Sequence, residues 1–324
     1  MSGKFRIERA TAEQAFSIWR DSPQASAFNH PRLLSVLCEK VTWWAAWKSE
    51  FLVSVLPICR TIDGELRPPI FTYYVGPLFN KEIHNFKQHR FWAVRHGALQ
   101  ALLEKLTGTY PSFRFALPAG FTDVRAFQWW NHDHADLGHF YIDPRQTARI
   151  DSLQIKEIKE IWWGFARNRR RDIKSVQVNP PESTTKWTVE ELLALHDWPL
   201  KTQGVDIPAS RRSTLARLIE QAANGKGKIL AYRRKQSEGL ASCLVLLYGR
   251  EDANGIICGS HPRERDTGLT SWTIWQGLQQ ARNDGLNIFD FNGANSPNRA
   301  ASKHSFGSHE QIYFNIDFRK HSSG

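Results

Sequence analysis

From residue 11 to about 142, and again from 188 to about 317, the chain reads as the same order of elements, α-α-β-β-β-α-β-α-β. Nine elements repeated in one order over similar lengths are improbable by accident. The expected fold is therefore mixed α/β, built by tandem duplication. In the first copy, Thr11-Ala12-Glu13-Gln14 has capping-box spacing and opens a helix to about Arg20, and Pro31 at a first helical position opens a second to about Lys40. Segments 42–47 and 51–59 flank Lys48-Ser49-Glu50 as a hairpin, and 71–75 is expected as the third strand. Phe91, Val94, Ala98, Leu102 and Leu106 recur at three and four, the spacing of one buried helical face. A strand at 113–117, a short helix at 123–130 and a strand at 137–142 complete the copy. The second copy places helices at 189–196 and 211–223, strands at 228–233, 240–248 and 255–258, and a helix at 268–283. A strand at 288, a short helix near 300 and a strand from 311 follow.

The boundaries that follow are 1–145 for an N-terminal domain, 146–187 for a basic bridging helix and linker, and 188–324 for a C-terminal domain. In the bridge, Ile155, Ile158, Trp162 and Phe165 have the spacing of one helix, whose far end carries Arg167, Arg169, Arg170, Arg171 and Lys174. Two readings stand: cations at a helix C-terminus, favoured by its dipole, or a contact to phosphate or tRNA. The net charge of +11 points to a polyanionic partner, whether nucleic acid, an anionic membrane face or a phosphate-bearing small molecule. Four cysteines, Cys38, Cys59, Cys243 and Cys258, lie far apart with no Cys-x-x-Cys pair, so no zinc site or disulfide framework is expected. They read as buried thiols of a cytoplasmic protein. No apolar run approaches the eighteen or so residues of a membrane span. His132, Asp133, His134, Asp136 and His139 lack a metal-site pattern, and no metal is expected.

The chemistry is expected around one strand exit in the second copy. Ile288 to Phe291 ends in Asn292-Gly293-Ala294-Asn295-Ser296-Pro297, turn residues that leave backbone donors free, and a helical turn bearing Lys303 and His304 follows. Lys303 could stabilise charge growing in a tetrahedral transition state, or be an exposed helical lysine. Asp290 could accept an amine proton, or cap the following loop. Asn292, Asn295 and Asn298 could bind substrate hydroxyls, or make the turn.

Several stretches carry a resemblance: Phe28-Asn29-His30-Pro31-Arg32-Leu33, the Arg-Arg-x-Ile-Lys run inside 162–174, and Lys201-Thr202-Gln203-Gly204-Val205. Above all, Phe289-Asp290-Phe291-Asn292-Gly293 and Ser302-Lys303-His304-Ser305-Phe306-Gly307 resemble the FemAB-like acyltransferases, whose fold is a tandem of two acetyltransferase (GNAT-type) domains. The resemblance implies an N-acyltransferase with its pocket in the second domain. An acyl-CoA or aminoacyl-tRNA would serve as co-substrate, with no permanently bound cofactor. It implies an amine acceptor on a phosphate-bearing small molecule or glycan precursor, in cell-surface polysaccharide, amino-sugar or cell-envelope synthesis, with a peptidoglycan-precursor peptidyltransferase as the alternative. Lys303 and Asp290 become the catalytic candidates, and Asn292, Asn295, Asn298 and His304 the substrate-binding ones. Arg263, Arg265, Gly268 and Thr270 resemble an acetyltransferase pyrophosphate loop, and Arg211 and Arg212 stand where the family often binds an anion. The run Ile256-Ile257-Cys258-Gly259-Ser260 departs from the family by lacking an aromatic residue, and no coiled-coil insertion is present. A non-enzymatic nucleic-acid-binding module is the contrasting class, and it accounts for the charge alone.

Overall fold

The computed structural model describes residues 5–202 and 204–320; Gln203, one residue of a resembling stretch, lies outside them. The chain divides into two compact units, 1–145 with 312–324, and 146–311. Segment 146–187 thus packs as part of unit 2 and forms no separate bridge, while residues from Ile312 onward join unit 1.

Unit 1 opens with β1 (Arg6–Ala10), α1 (Ala12–Asp21) and α2 (Pro31–Leu37). The Thr11 hydroxyl accepts from the Gln14 amide at 3.2 Å and the Gln14 side chain accepts from the Thr11 amide at 2.9 Å, the reciprocal cap its sequence predicts. Next come β2 (Lys40–Lys48), β3 (Phe51–Arg60), β4 (Leu78–Phe79), α3 (Gln88–Thr109), β5 (Ser112–Ala116), α4 (Arg125–Gln128) and β6 (His139–Ile150). The third strand is β4, not 71–75. That segment instead runs as a loop along β5, where the Val75 carbonyl accepts from the Ala116 amide at 2.9 Å. β1 to β4 form an antiparallel sheet in chain order. Val94, Ala98, Leu102 and Leu106 of α3 pack with Trp44, Leu56, Phe113 and Phe115 in its core.

Unit 2 contains α5 (Ile158–Gly164), α6 (Arg167–Val178), β7 (Glu182–Ser183), α7 (Val189–Lys201), α8 (Ala209–Gln221), β8 (Gly227–Arg233), β9 (Ser242–Tyr248) and β10 (Asp252–Ser260). It then adds α9 (Leu269–Asn283), β11 (Ile288–Asp290) and α10 (Pro297–His304), after which β12 (His309–Arg319) starts in unit 2 and continues from Ile312 in unit 1. β7 to β10 are antiparallel neighbours, and β11 joins β10 in parallel.

The nine-element order is present twice, as α1-α2-β2-β3-β4-α3-β5-α4-β6 and α7-α8-β8-β9-β10-α9-β11-α10-β12. Each copy has gained a leading edge strand, β1 or β7, antiparallel to the strand after its helix pair. The last strands are exchanged. Residues 315–319 of β12 pair antiparallel with β5 in unit 1, and Arg149–Ile150 of β6 pair antiparallel with β11 in unit 2. The exchange matches the β5–β12 pair of the first copy to the β11–β6 pair of the second, although β4 and β5 stand in different sheets while β10 and β11 pair, and the fold is a tandem duplication of one mixed α/β element order.

The expected single bridging helix is two helices. α5 ends at Gly164, and the Ser305 carbonyl accepts from the Ala166 amide at 2.8 Å just before α6 begins. The basic run therefore lies at the start of α6, where the dipole disfavours cations, so C-terminal dipole compensation does not explain it. Among the described residues no helix is long and apolar enough to cross a membrane.

Two glycines test this packing. A Cβ on Gly76 would stand 2.2 Å from the Ala116 carbonyl oxygen, whereas one on Gly108, in the last turn of α3, would meet nothing within 4 Å. Gly76→Ala is expected to destabilise by about 1–3 kcal/mol through overpacking and Gly108→Ala to stabilise by roughly 0.5–1 kcal/mol, as read from chemical-denaturation midpoints. Equal midpoints for the two variants would mean that loop 71–76 does not pack against β5 as described.

Candidate active site

The site begins with a divergence of two parallel strands. β10 and β11 pair only over Asp252–Asn254 and Ile288–Asp290. Beyond them a bulge between Gly255 and Ile257 turns β10, which continues paired to β9. The chain after β11 instead follows β6: the Phe291 amide donates to the Ala148 carbonyl at 2.9 Å and the Ala294 amide to the Gln146 carbonyl at 2.8 Å. One side chain crosses the widening gap, with Asn292 Nδ2 donating to the Gly255 carbonyl at 2.9 Å. Among the described residues, the β11-facing edge of β10 from Ile256 to Ser260 is left outside any ladder.

The turn at the head of this gap is held from both sides. Asp290, 2% exposed, accepts at Oδ1 from the Thr147 hydroxyl at 2.5 Å and from the Asn292 amide at 2.7 Å. Asn292 has φ +53° and Gly293 φ +33°, so a non-glycine residue is kept in the left-handed region by these bonds. The Lys303 ammonium, brought by α10, donates to the Asn292 carbonyl and, at 2.8 Å, to that of Gly293. Partial burial lowers the Lys303 pKa to about 8; the charge of Asp290 opposes this and that of Arg299 reinforces it. Two of the three ammonium protons are directed at carbonyls, which leaves one for another acceptor.

Further polar groups surround this turn. Asp252 is pushed up to about 6, first by burial, with the Asn254 amide opposing and Asp290 adding to the rise. Cys258 of β10 is exposed, unlike Cys38, Cys59 and Cys243, which corrects the expectation of four buried thiols. The protein packed around it pushes its thiol up to about 12, with Lys303 pulling the other way. Thr147, Asp252 and Asn254 escaped sequence reading, and Cys258 was read only as a buried thiol and as part of the run 256–260. The Asp-x-Asn alternation at 252–254 was their one available signal, and it matters only once β11 is known to lie alongside.

Asp290, Asn292 and Lys303 are thus brought together, and the other candidates have varied settings. Asn295 Oδ1 accepts from the Gln146 amide at 2.8 Å, a structural bond, while Asn298 is exposed at the start of α10. His304 Nδ1 lies 3.1 Å from the Ser308 hydroxyl, closing α10 onto the following turn. Arg212 pairs with the buried Asp197 and, at 2.5 Å, with Glu190 of α7, so its donors join α8 to α7. Arg211 lies beside it on α8. Arg263 and Arg265 are exposed in the turn before α9, and Thr270 Oγ1 is 2.7 Å from Ser260 Oγ. Gly268 has φ +82°, and a Cβ there would come within 2.8 Å of Asp172, so close approach of α6 already requires this glycine.

In the basic run, Arg169 donates to Ser305 at 2.8 Å, Ser271 at 3.1 Å and Ser302 at 3.2 Å, with its guanidinium 4.9 Å from the Phe306 ring centroid. Arg170 donates to the carbonyls of Trp163 and Phe165. These two arginines join α6 to α9, α10 and α5. Arg167, Arg171 and Lys174 remain exposed at i, i+4 and i+7 along one face.

No protein-family model matches the sequence, and no curated protein matches it. Among solved structures, FemX has a TM-score of 0.66 at 12% identity, covering 95% of this chain and 96% of its own. L-PGS from Bacillus licheniformis has a TM-score of 0.52 at 12% identity over 98% and 94% of the two chains. A tandem GNAT protein from the clavulanic acid biosynthesis pathway has a TM-score of 0.52 at 11% identity over 99% and 100%. The fold of this chain is accordingly FemAB-like, a tandem of GNAT-type folds.

The lysine gives the turn a pH signature. In the folded chain Lys303 releases its proton near pH 8, against 10.5 ordinarily. Between those values the unfolded chain binds more protons, so this residue's contribution to stability rises with pH through that window. The stability of the protein relative to its Lys303→Met variant is expected to rise between pH 8 and 10. A flat difference would mean that the ammonium is not desolvated.

Proposed function

We propose that unit 2 is an acyltransferase that moves an acyl or aminoacyl group to an amine. What supports this most is the open edge of β10 beside a turn whose carbonyls are held by Lys303. An extended, amide-bearing donor arm can add to that edge as a strand would, which presents its terminal acyl carbon to the turn. The amine lone pair attacks the acyl carbon, the carbonyl oxygen gains charge, and collapse expels a thiolate or a ribose oxygen. The proton lost from the amine passes through water to the leaving group. The remaining Lys303 N–H is the donor assigned to the developing oxyanion. Asp290 is too enclosed, and too occupied by Thr147 and Asn292, to meet substrate; it is a positioning residue for the turn and not the proton acceptor that its sequence setting suggests.

With acyl-CoA as the donor, the pyrophosphate lies at Arg263, Arg265 and the start of α9. A second donor is favoured by a specific contact: the Ser271 hydroxyl donates to the Asp172 carboxylate at 3.3 Å, so an anion already sits by the first turn of α9. An aminoacyl-tRNA ester needs no pyrophosphate there. The acceptor is proposed as an amine on a phosphate-bearing or glycan-precursor molecule used in envelope or surface-polysaccharide synthesis.

Acetyl-CoA and alanyl-tRNA, each supplied with glucosamine and with amino-sugar nucleotides, separate the donors by product mass. With the productive pair, Lys303→Ala is expected to lower kcat by a factor of about a hundred to a thousand. Wild-type turnover by that variant would make the lysine a bystander.

A further inference from the structure

Unit 1 has a cavity of its own, built by an arch of chain. The Leu66 carbonyl accepts from the Arg114 amide at 2.8 Å and the Val75 carbonyl from the Ala116 amide at 2.9 Å. Ten residues, 66–75, are therefore pinned to two positions of β5 only two residues apart, and the segment between must stand away from the strand. Pro68 and Pro69 stiffen it, and the Thr72 hydroxyl donates to the Pro69 carbonyl at 2.6 Å. Phe71 is held at φ +65°, a conformation costly for a bulky residue and one that marks ligand clamps more often than ordinary loops. The cavity under the arch measures about 580 Å³, within the range of small-molecule sites.

Its lining is chemically mixed. Arg67, Arg114, Arg145 and Arg319 face it, against the carboxylates of Asp143 and Asp317. Arg67 is paired at 2.5 Å with both Asp63 and Glu65, whose two charges outweigh its one, so it offers a ligand no free positive charge. Arg114 and Arg319 share one carboxylate, Asp317, at 3.0 and 2.6 Å, which leaves one positive charge in excess between them and guanidinium N–H groups unassigned. The Arg319 guanidinium stands 5.3 Å from the ring centroid of Tyr141, itself 45% exposed, and Tyr73 and Tyr313 add aromatic wall. A neighbouring cavity of about 470 Å³ shares Arg67, Arg114, Asp317 and Arg319, so the arginine pair lies at the junction of two hollows.

We propose that this arch is a preformed binding site for a phosphorylated, ring-bearing small molecule. Arg114 and Arg319 would hold the phosphate, and Phe71, Tyr73 and Tyr141 would hold the ring. A bare anion has no use for the aromatic wall, and an apolar ligand would cover the arginine pair while leaving the charge that Asp317 does not match uncompensated. The proposal does not depend on acyl transfer in unit 2. Nucleotides and sugar phosphates share this chemistry, and the test separates them.

Titration calorimetry of the full chain with adenosine monophosphate, glucosamine 6-phosphate and inorganic phosphate is the experiment. At least one ring-bearing phosphate is expected to bind ten or more times tighter than inorganic phosphate, and the tighter one identifies the source. The Arg114→Gln/Arg319→Gln variant should weaken it at least tenfold, and Tyr141→Ala, which alters an exposed side chain, should weaken it without affecting inorganic phosphate. Arg263→Gln/Arg265→Gln in unit 2 should leave it unchanged. No binding at millimolar ligand, equal affinity for all three compounds, or dependence on Arg263 and Arg265 in place of Arg114 and Arg319 would overturn the assignment.

Discussion

A buried carboxylate organises unit 2. Asp290 sits at the last position where β10 and β11 remain paired, and its Oδ1 draws in the Thr147 hydroxyl from β6 and the Asn292 amide from the turn. Removing either donor would leave a buried acceptor poorly satisfied, a loss of about 1–3 kcal/mol and more for a charged group. Those bonds force Asn292 into the left-handed region and aim two consecutive carbonyls at one point, and Lys303 occupies that point. The carboxylate and the ammonium therefore grip the same turn from opposite ends. The strand divergence follows, because a chain held to β6 at Ala148 and Gln146 cannot also follow β10 past its bulge.

The same logic of shared side chains recurs in α6. An arginine run at a helix start is opposed by the helix dipole, so its retention needs another cause. Arg169 and Arg170 supply one, since their forked guanidinium groups reach serines of α9 and α10 and carbonyls around the end of α5, a task that lysine could not perform. Only Arg167, Arg171 and Lys174 are left as an exposed stripe. The sequence shows five equivalent charges, and the structure divides them into two fasteners and three solvated cations.

Much of the architecture could be read beforehand because it is local. The capping box at Thr11, the helical spacing in α3 and the punctuation around β2 and β3 depend on neighbours a few residues away. The exchange of β6 and β12 could not be read, since pairing between positions more than a hundred and thirty residues apart leaves no local trace. The break between α5 and α6 was hidden because Ile158, Trp162 and Phe165 keep helical spacing up to the break itself. In the site, Asp290, Asn292 and Lys303 were legible from turn chemistry and motif. Thr147 and Asp252 were not, because each gains meaning only from the strand beside it. Gly268 was legible as a required glycine, but the reason found is the backbone of Asp172.

The central claim is that the acyl group of the donor rests on the open edge of β10 next to the Lys303 turn. Cys258 reports on that edge directly. Its raised pKa makes it sluggish toward free reagents, and only a reagent held against it gains the advantage of proximity. With a bromoacetyl group carried on coenzyme A or on tRNA, peptide mass mapping is predicted to find Cys258 alkylated to near stoichiometry, with Cys38, Cys59 and Cys243 untouched and the unreactive donor protecting. Alkylation at other residues, or labelling of Cys258 that the unreactive donor fails to suppress, would contradict the account.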